Sequence, residues 1–423
     1  MRTGKWIWIC LVALMMSRTC GADDASIDNR LVQLEKEIAE LKQTRATSAE
    51  PTVSGDSKKK GLFSSVDVQF YGYIKADGSY DSSRTTPGNY VLWVDSEATR
   101  KNDDEFNLTA NETRLGMNFS GPSSETLKTS GKVEFDFFGN YADENKAKIQ
   151  MRHAYMNLEW PEAQLSLLAG QTWDVISPLN PSTLNYSVLW IGGNIGYRRP
   201  QVRLTKGLSV TDKVNVKLEG ALTRTIGRPA FGDSESGEDA GVPTVQGRVS
   251  ATFPFFGPKP TTIGVSGHFG KEEYDLDATG RNTTIESQSI NLDVTQPVCK
   301  WMTIKAELFS GWNLNTYLGG INQGVNTTTL RPIDSQGGWI AASLGPWGKW
   351  SSAVGFGADN VDRDDVVGNN SLRTRNSCLF GNVRYDVNAH AQVGLELSRW
   401  DTNYRGAGDA KDMRVQASFI YKF

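Results

Sequence analysis

His153, His268 and His390 are the only three imidazoles in 423 residues, and acid–base or nucleophilic catalysis needs such a group beside a hydroxyl, thiol or carboxylate. They lie on separate stretches, His268 and His390 on an inward phase, and no serine or carboxylate is tied to them by a recognisable spacing. A metal site needs clustered His, Cys, Asp or Glu ligands, and none cluster. Neither an enzyme nor a cofactor is therefore expected. The chemically useful pattern lies in charges that share one phase of alternating runs. Arg114, Lys132, Arg152, Arg199, Arg203, Arg248, Lys305, Arg384 and Arg414 fall there, with Glu112, Glu134, Asp136, Glu219, Glu307, Asp386 and Glu396 among them. On the wall of a water-filled channel such charges rank ions by sign, and guanidinium groups bind carboxylates bidentately. The plainer alternative is that inward charges pair with one another and only keep the interior wet.

Those residues need strands to hold them. The last eleven residues set Met413, Val415, Ala417, Phe419, Tyr421 and Phe423 on one face and Arg414, Gln416, Ser418, Ile420 and Lys422 on the other. This period of two puts hydrocarbon against one medium and charge against another, as in a membrane barrel. It recurs over residues 66–80, 109–119, 127–138, 148–159, 165–172, 196–206, 213–224, 243–253, 261–271, 285–296, 300–312, 336–345, 349–359, 374–386, 389–400 and 411–423. On 148–159 the phase is broken, since Lys148, Gln150 and Arg152 fall with Met156 and Leu158. Short connections (120–122, 160–164, 207–212, 254–260, 297–299, 346–348, 387–388) alternate without exception with long ones. A soluble sandwich has no reason to sort its connections so, whereas an outer-membrane barrel has short periplasmic turns and long outer loops.

Composition agrees: 38% hydrophobic residues, a mean hydropathy of -0.42 and 42 Gly, 13 Tyr, 12 Trp and 17 Phe suit a barrel, which needs only half of each strand apolar. The net charge of -3 argues against a nucleic-acid partner. The expected fold is all-β: a transmembrane antiparallel β-barrel of about sixteen strands, preceded by a short N-terminal periplasmic coiled-coil helix. Residues 1–22 read as a signal peptide, with Arg2 and Lys5 before an apolar run. Residues 23–45 carry the heptad seam Ile27, Leu31, Leu34, Ile38 and Leu41, and 46–65 are a flexible linker with Lys58, Lys59 and Lys60. Residues 66–423 form the barrel, with both termini on the periplasmic side. Cys299 and Cys378 remain after signal removal, and their spacing neither requires nor excludes a bridge.

A channel needs a narrow point, and residues 173–195 are the candidate. Trp173, Pro178, Pro181, Tyr186 and Trp190 suit a compact, ordered loop, and Asp174, Asn180 and Asn185 supply its polar groups. Such a loop can fold inward, cap the outside or pack at a subunit contact. Arg152-His-Ala-Tyr-Met-Asn-Leu158, Gly170-Gln-Thr-Trp173, the 177–186 loop and Gly196-Tyr-Arg-Arg-Pro-Gln-Val-Arg-Leu204 resemble the DcaP-like porins. That resemblance implies a homotrimeric outer-membrane porin, embedded in outer-membrane lipid, with a periplasmic coiled coil. It also implies that Arg152, Gln201 and Arg203 line the lumen near the constriction and that small anions such as dicarboxylates pass. The expected function is passive diffusion of small hydrophilic solutes. The rival is a structural barrel that tethers the envelope through its N-terminal coil.

Overall fold

The computed structural model describes residues 66–99, 103–139, 146–228, 236–276, 279–369 and 371–423. The expected signal peptide, coiled-coil seam and linker lie outside the described residues. In chain order the strands are β1 (Asp67–Asp81), β2 (Thr85–Pro87), β3 (Val91–Val94), β4 (Glu105–Thr109), β5 (Arg114–Ser120), β6 (Lys128–Asp136) and β7 (Gln150–Trp160). Then come β8 (Leu165–Trp173), β9 (Arg198–Thr211), β10 (Val214–Thr223), β11 (Thr244–Phe253), β12 (Thr261–Asp275), β13 (Asn282–Cys299) and β14 (Met302–Trp312). The last are β15 (Val325–Asn326), β16 (Arg331–Pro332), β17 (Asp334–Trp347), β18 (Trp350–Val361), β19 (Arg373–Asp386), β20 (Ala391–Tyr404) and β21 (Ala410–Lys422).

Seventeen of these form one antiparallel sheet. Its first and last members pair, from Tyr73 opposite Lys422 to Asp81 opposite Arg414, so the sheet closes on itself. Strands β4 and β5 both pair with β1 and are halves of one interrupted strand. The wall is thus sixteen strands round. Between the halves the Thr113 amide donates to the Ala110 carbonyl (3.0 Å) in a tight turn. Strands β2 and β3, and β15 and β16, are hairpins inside the long connections.

Away from irregularities such as the one on β7, the wall strands sort their residues by face as the period of two requires. On β21, Met413, Val415, Phe419 and Tyr421 are exposed outside, while Asp412, Arg414, Gln416 and Ser418 are buried inside. On β10, Leu218 and Leu222 are exposed and Ala221 and Thr223 are buried. No described helix is long and apolar enough to cross a membrane. At the end with short turns, aromatic side chains gather: Trp301 on Trp347 (5.8 Å between ring centroids), Trp350 on Tyr385 (4.7 Å) and Phe255 on Phe256 (4.8 Å). That is the composition of an interfacial girdle.

Three expected turns are largely strand instead, one of them 346–348, where β17 runs on through Pro346 to Trp347, which pairs with Trp350. Gly207 pairs with Lys217 inside β9, and the chain reverses only after Thr211. Pro297 pairs with Thr303 inside β13, next to a register shift. Gly and Pro favour turns locally, but in each case the neighbouring strand supplies pairing partners, and tertiary context overrides propensity. At the opposite end the long connections fold over and into the barrel. Their apolar residues pack with the inner wall, Val91, Leu189, Trp339, Phe380 and Trp400 in one cluster and Tyr90, Phe138, Tyr186, Trp190 and Ile191 in another.

Candidate functional site

The phase break predicted on β7 is a bulge. Glu134 of β6 faces His153 and Phe135 faces Met151, so the pairing passes over Arg152. A bulge re-aims side chains, and both Arg152 and His153 turn inward and are buried. His153 was not expected inside, because strict alternation ignores the extra residue. Its Nδ1 bonds Thr172 Oγ1 (3.0 Å). His390 corrects the other way: it sits exposed on the short turn, with Nδ1 against the Lys422 carbonyl (2.9 Å) and its ring stacked on Tyr421. His268 does point inward, where both ring nitrogens meet serine hydroxyls, Ser289 at 2.7 Å and Ser287 at 2.9 Å. The Ser287 hydroxyl itself donates to the Asn313 carbonyl (2.8 Å).

Arg152 enters a network centred on Glu134. Its Nε donates to Glu134 (2.8 Å) and its Nη1 to Asp136 (2.6 Å). The same Glu134 lies 3.7 Å from Arg114, 3.6 Å from Lys132 and accepts from the Tyr71 hydroxyl at 2.7 Å. One carboxylate therefore serves three cations. Glu112, in the turn that splits β4 from β5, meets Lys75 Nζ at 2.5 Å.

The connection at 174–197 runs inside the barrel. Its root is fixed by Asp174, which pairs with Arg199 (2.7 Å) and accepts from the Tyr197 amide (2.9 Å) and the Gln246 amide group (2.7 Å). From there backbone groups meet inward side chains strand by strand. The Val175 amide donates to Gln246, Ser177 to Ser266, Leu179 to Glu307 and Leu184 to Glu396. The Ser182 carbonyl accepts from Asn382 and Arg384, and the Ile191 carbonyl from Asn376. The Leu184 carbonyl accepts from both Lys75 and Gln416, each at 2.9 Å. Asn185 spans to the 82–104 connection, accepting from the Val91 amide and donating to its carbonyl, both at 3.1 Å. Asn180 accepts from Asn194 within the loop (3.1 Å). The Tyr186 hydroxyl donates to Asp136 (3.0 Å). Burial raises the Tyr186 pKa, so it stays a donor.

Gly193 explains how the loop lies so close to the wall. A Cβ there would stand 2.2 Å from the Gly338 carbonyl oxygen, and its φ of +117° is one that only glycine adopts readily. With the loop pressed against β17 and β18, the remaining space lies on the opposite side. There a cavity of ≈ 380 Å³ is lined by Tyr73, Glu112, Arg114, Lys132, Glu134 and Arg152 on the wall and by Asn180, Thr183, Asn185, Tyr186 and Trp190 on the loop. Three cations face two carboxylates. A second cavity of ≈ 240 Å³, among the long connections, is lined by Tyr90, Trp93, Phe138, Tyr186, Trp190, Tyr197 and Arg228.

The expected basic residues of the lumen fall mainly into three groups. Arg152, Arg199, Arg248 and Arg414 are buried against carboxylates, Arg248 with Glu219 (3.0 Å) and Asp293 (2.7 Å), Arg414 with Asp81 (2.8 Å). Arg114 and Lys132 remain partly exposed to the larger cavity, at 22% and 26% of their side-chain surface. Arg203 donates to Gln201 Oε1 (2.9 Å) and to the Trp173 carbonyl, and Arg384 to the Ser182 and Thr183 carbonyls. Gln201 donates in turn to the Thr172 and Trp173 carbonyls, bracing the start of the loop. Arg198 escaped the sequence reading, because alternation with Arg199 turns it outward. It is buried where the chain bends under aromatic rings, after Gly196 at φ +101°.

The structure thus combines a closed wall, an interior loop and a basic off-centre cavity. Residues 27–226 match the DcaP outer membrane protein family. The DcaP outer membrane channel of Acinetobacter baumannii superposes with a TM-score of 0.66 at 20% identity, covering 88% of this chain and 100% of that one. An anion-selective porin from Comamonas acidovorans gives 0.53 at 12% identity, over 85% of this chain and 100% of that one. OmpT of Vibrio cholerae in its trimer form gives 0.52 at 11% identity, over 85% and 100%. At these identities the likenesses establish a shared fold, and the DcaP match over 27–226 takes in the 152–204 segment on which the sequence resemblance rests. No curated protein matches the chain.

Proposed function

We propose that this DcaP-like barrel is a passive outer-membrane porin for small hydrophilic solutes that favours anions of dicarboxylate size. The observation that carries this is the cavity between the loop and β5–β7, where Arg114, Lys132 and Arg152 outnumber Glu112 and Glu134. In a passage this confined, one net positive charge in the lining attracts anions and repels cations. The 174–197 loop acts as the constriction, since its bonds to inward side chains around the wall hold it off the remaining space. Arg114 and Lys132 bear on selectivity more than Arg152, because both are partly exposed to the cavity while Arg152 is buried.

The short turns and both termini are assigned to the periplasm and the long connections to the outside. The outward apolar face meets lipid, and association into trimers follows the precedent of OmpT, known in a trimer form. The test is the reversal potential of the purified protein in a planar bilayer under a KCl gradient. An anion preference is expected, followed by competition of chloride current by dicarboxylates. A cation preference or none overturns the anion assignment, and absence of current overturns the porin.

A further inference from the structure

Arg198 is buried, and none of its three guanidinium nitrogens has a hydrogen-bond partner among the described residues. No described carboxylate pairs with it, in contrast to Arg152, Arg199, Arg248 and Arg414. Its charge rests on ring faces instead: the guanidinium carbon is 4.6 Å from the centroid of Tyr197, 4.9 Å from Trp173 and 5.9 Å from Trp190. Trp173 lines the larger cavity, Tyr197 the smaller, and Trp190 both. One uncompensated cation thus stands behind an aromatic screen common to the two chambers.

We propose that Arg198 is the principal selectivity-determining residue of the passage, drawing anions through both chambers and repelling cations from both. The proposal rests on the porin reading above and adds where its selectivity resides. A ring carries no net charge to cancel a cation on its far face, so an ion beyond it still meets that cation's field, opposed for an anion only by the weaker, shorter-ranged quadrupole of the ring face. An ion touching the outer face of Trp173 would lie about 8.5 Å from the guanidinium, the ring distance plus one van der Waals contact. A unit charge at that range changes ion occupancy by a factor of roughly 2 in water and roughly 30 at the effective dielectric of a protein surface. Salt ions cannot enter the dry space around Arg198, whereas they do reach Arg114 and Lys132. Screening therefore separates the two sources of selectivity, because the Debye length falls from about 10 Å at 0.1 M to about 3 Å at 1 M salt.

The experiment measures reversal potentials of the full-length channel at a fixed KCl gradient ratio, at mean concentrations of about 0.1 M and about 1 M. Wild type is expected to keep an anion preference at the higher salt. Arg198→Met is expected to lower the anion-to-cation permeability ratio at high salt at least about threefold, and Arg198→Lys to preserve it. A wild-type preference that vanishes at high salt overturns the proposal, even if the Met variant does not insert. An Arg198→Met channel with an unchanged ratio overturns it as well. A wild-type channel with no anion preference even at low salt instead overturns the anion assignment beneath it, and absence of current the porin.

Discussion

Glu134 offers a test in which removing one proton-sized difference should sharpen selectivity. Replacing Glu134 by Gln keeps the shape and an acceptor for Arg152 Nε, which now bonds the carboxylate at 2.8 Å. It removes one of the two negative charges facing the larger cavity and leaves Arg114, Lys132 and Arg152 in place. The lining then carries three cations against one carboxylate instead of two. A solute ion about 5 Å from that carboxylate feels about 0.8 kcal/mol from it in water, so anion occupancy should rise at least about fourfold and cation occupancy fall in step. The assay is the KCl reversal potential at low salt, where screening is least. Folding should survive, since Arg152 keeps its 2.6 Å bond to Asp136. The expected loss is about 1–2 kcal/mol, from an ion pair reduced to a hydrogen bond between a guanidinium and a neutral amide. An unchanged or reduced anion preference in a channel of normal conductance would refute the placement of the selective field in this cavity.

Other outcomes follow from the same geometry. Arg152→Met leaves buried Asp136 without a cation, while Glu134 keeps Arg114 and Lys132, and should cost about 3–5 kcal/mol, read as a lower denaturant midpoint; an unchanged midpoint would mean the Arg152–Asp136 pair is not buried as described. Replacing Arg114 and Lys132 together by Ala should lower anion preference at low salt while costing about 1 kcal/mol or less, because both are partly exposed. Gly193→Ala places a Cβ 2.2 Å from the Gly338 oxygen and 2.7 Å from the Ala358 nitrogen. The loop must then move about 1 Å off that wall to restore van der Waals contact, toward the open side. Single-channel conductance should fall, and a rise or no change would show that the loop does not bound the passage.

The wall of the barrel was legible because its signal is local and repeated. Alternation on β10 and β21 and the sorting of short from long connections both survive a misplaced boundary of a few residues. The bulge at Arg152 and His153 was visible only as a broken phase, since its cause lies in the register against β6, which no single strand encodes. That inward charges pair was open to the sequence, but which ones pair was illegible for a similar reason: Arg248 finds Asp293 from 45 residues away, and Arg414 finds Asp81 across the seam. Tryptophans and prolines in 173–195 announced an ordered loop. Its direction is decided by acceptors and donors such as Glu307, Asn376 and Glu396, scattered over strands far along the chain. Arg198 was hidden because alternation fails where the backbone leaves the sheet.

The Leu184 carbonyl accepts from Lys75 on the first strand and Gln416 on the last. Those strands are neighbours only after the two ends of the chain have met. The loop therefore cannot reach its final seat in an unclosed sheet. Once seated, the loop rivets the very seam on which its position depends.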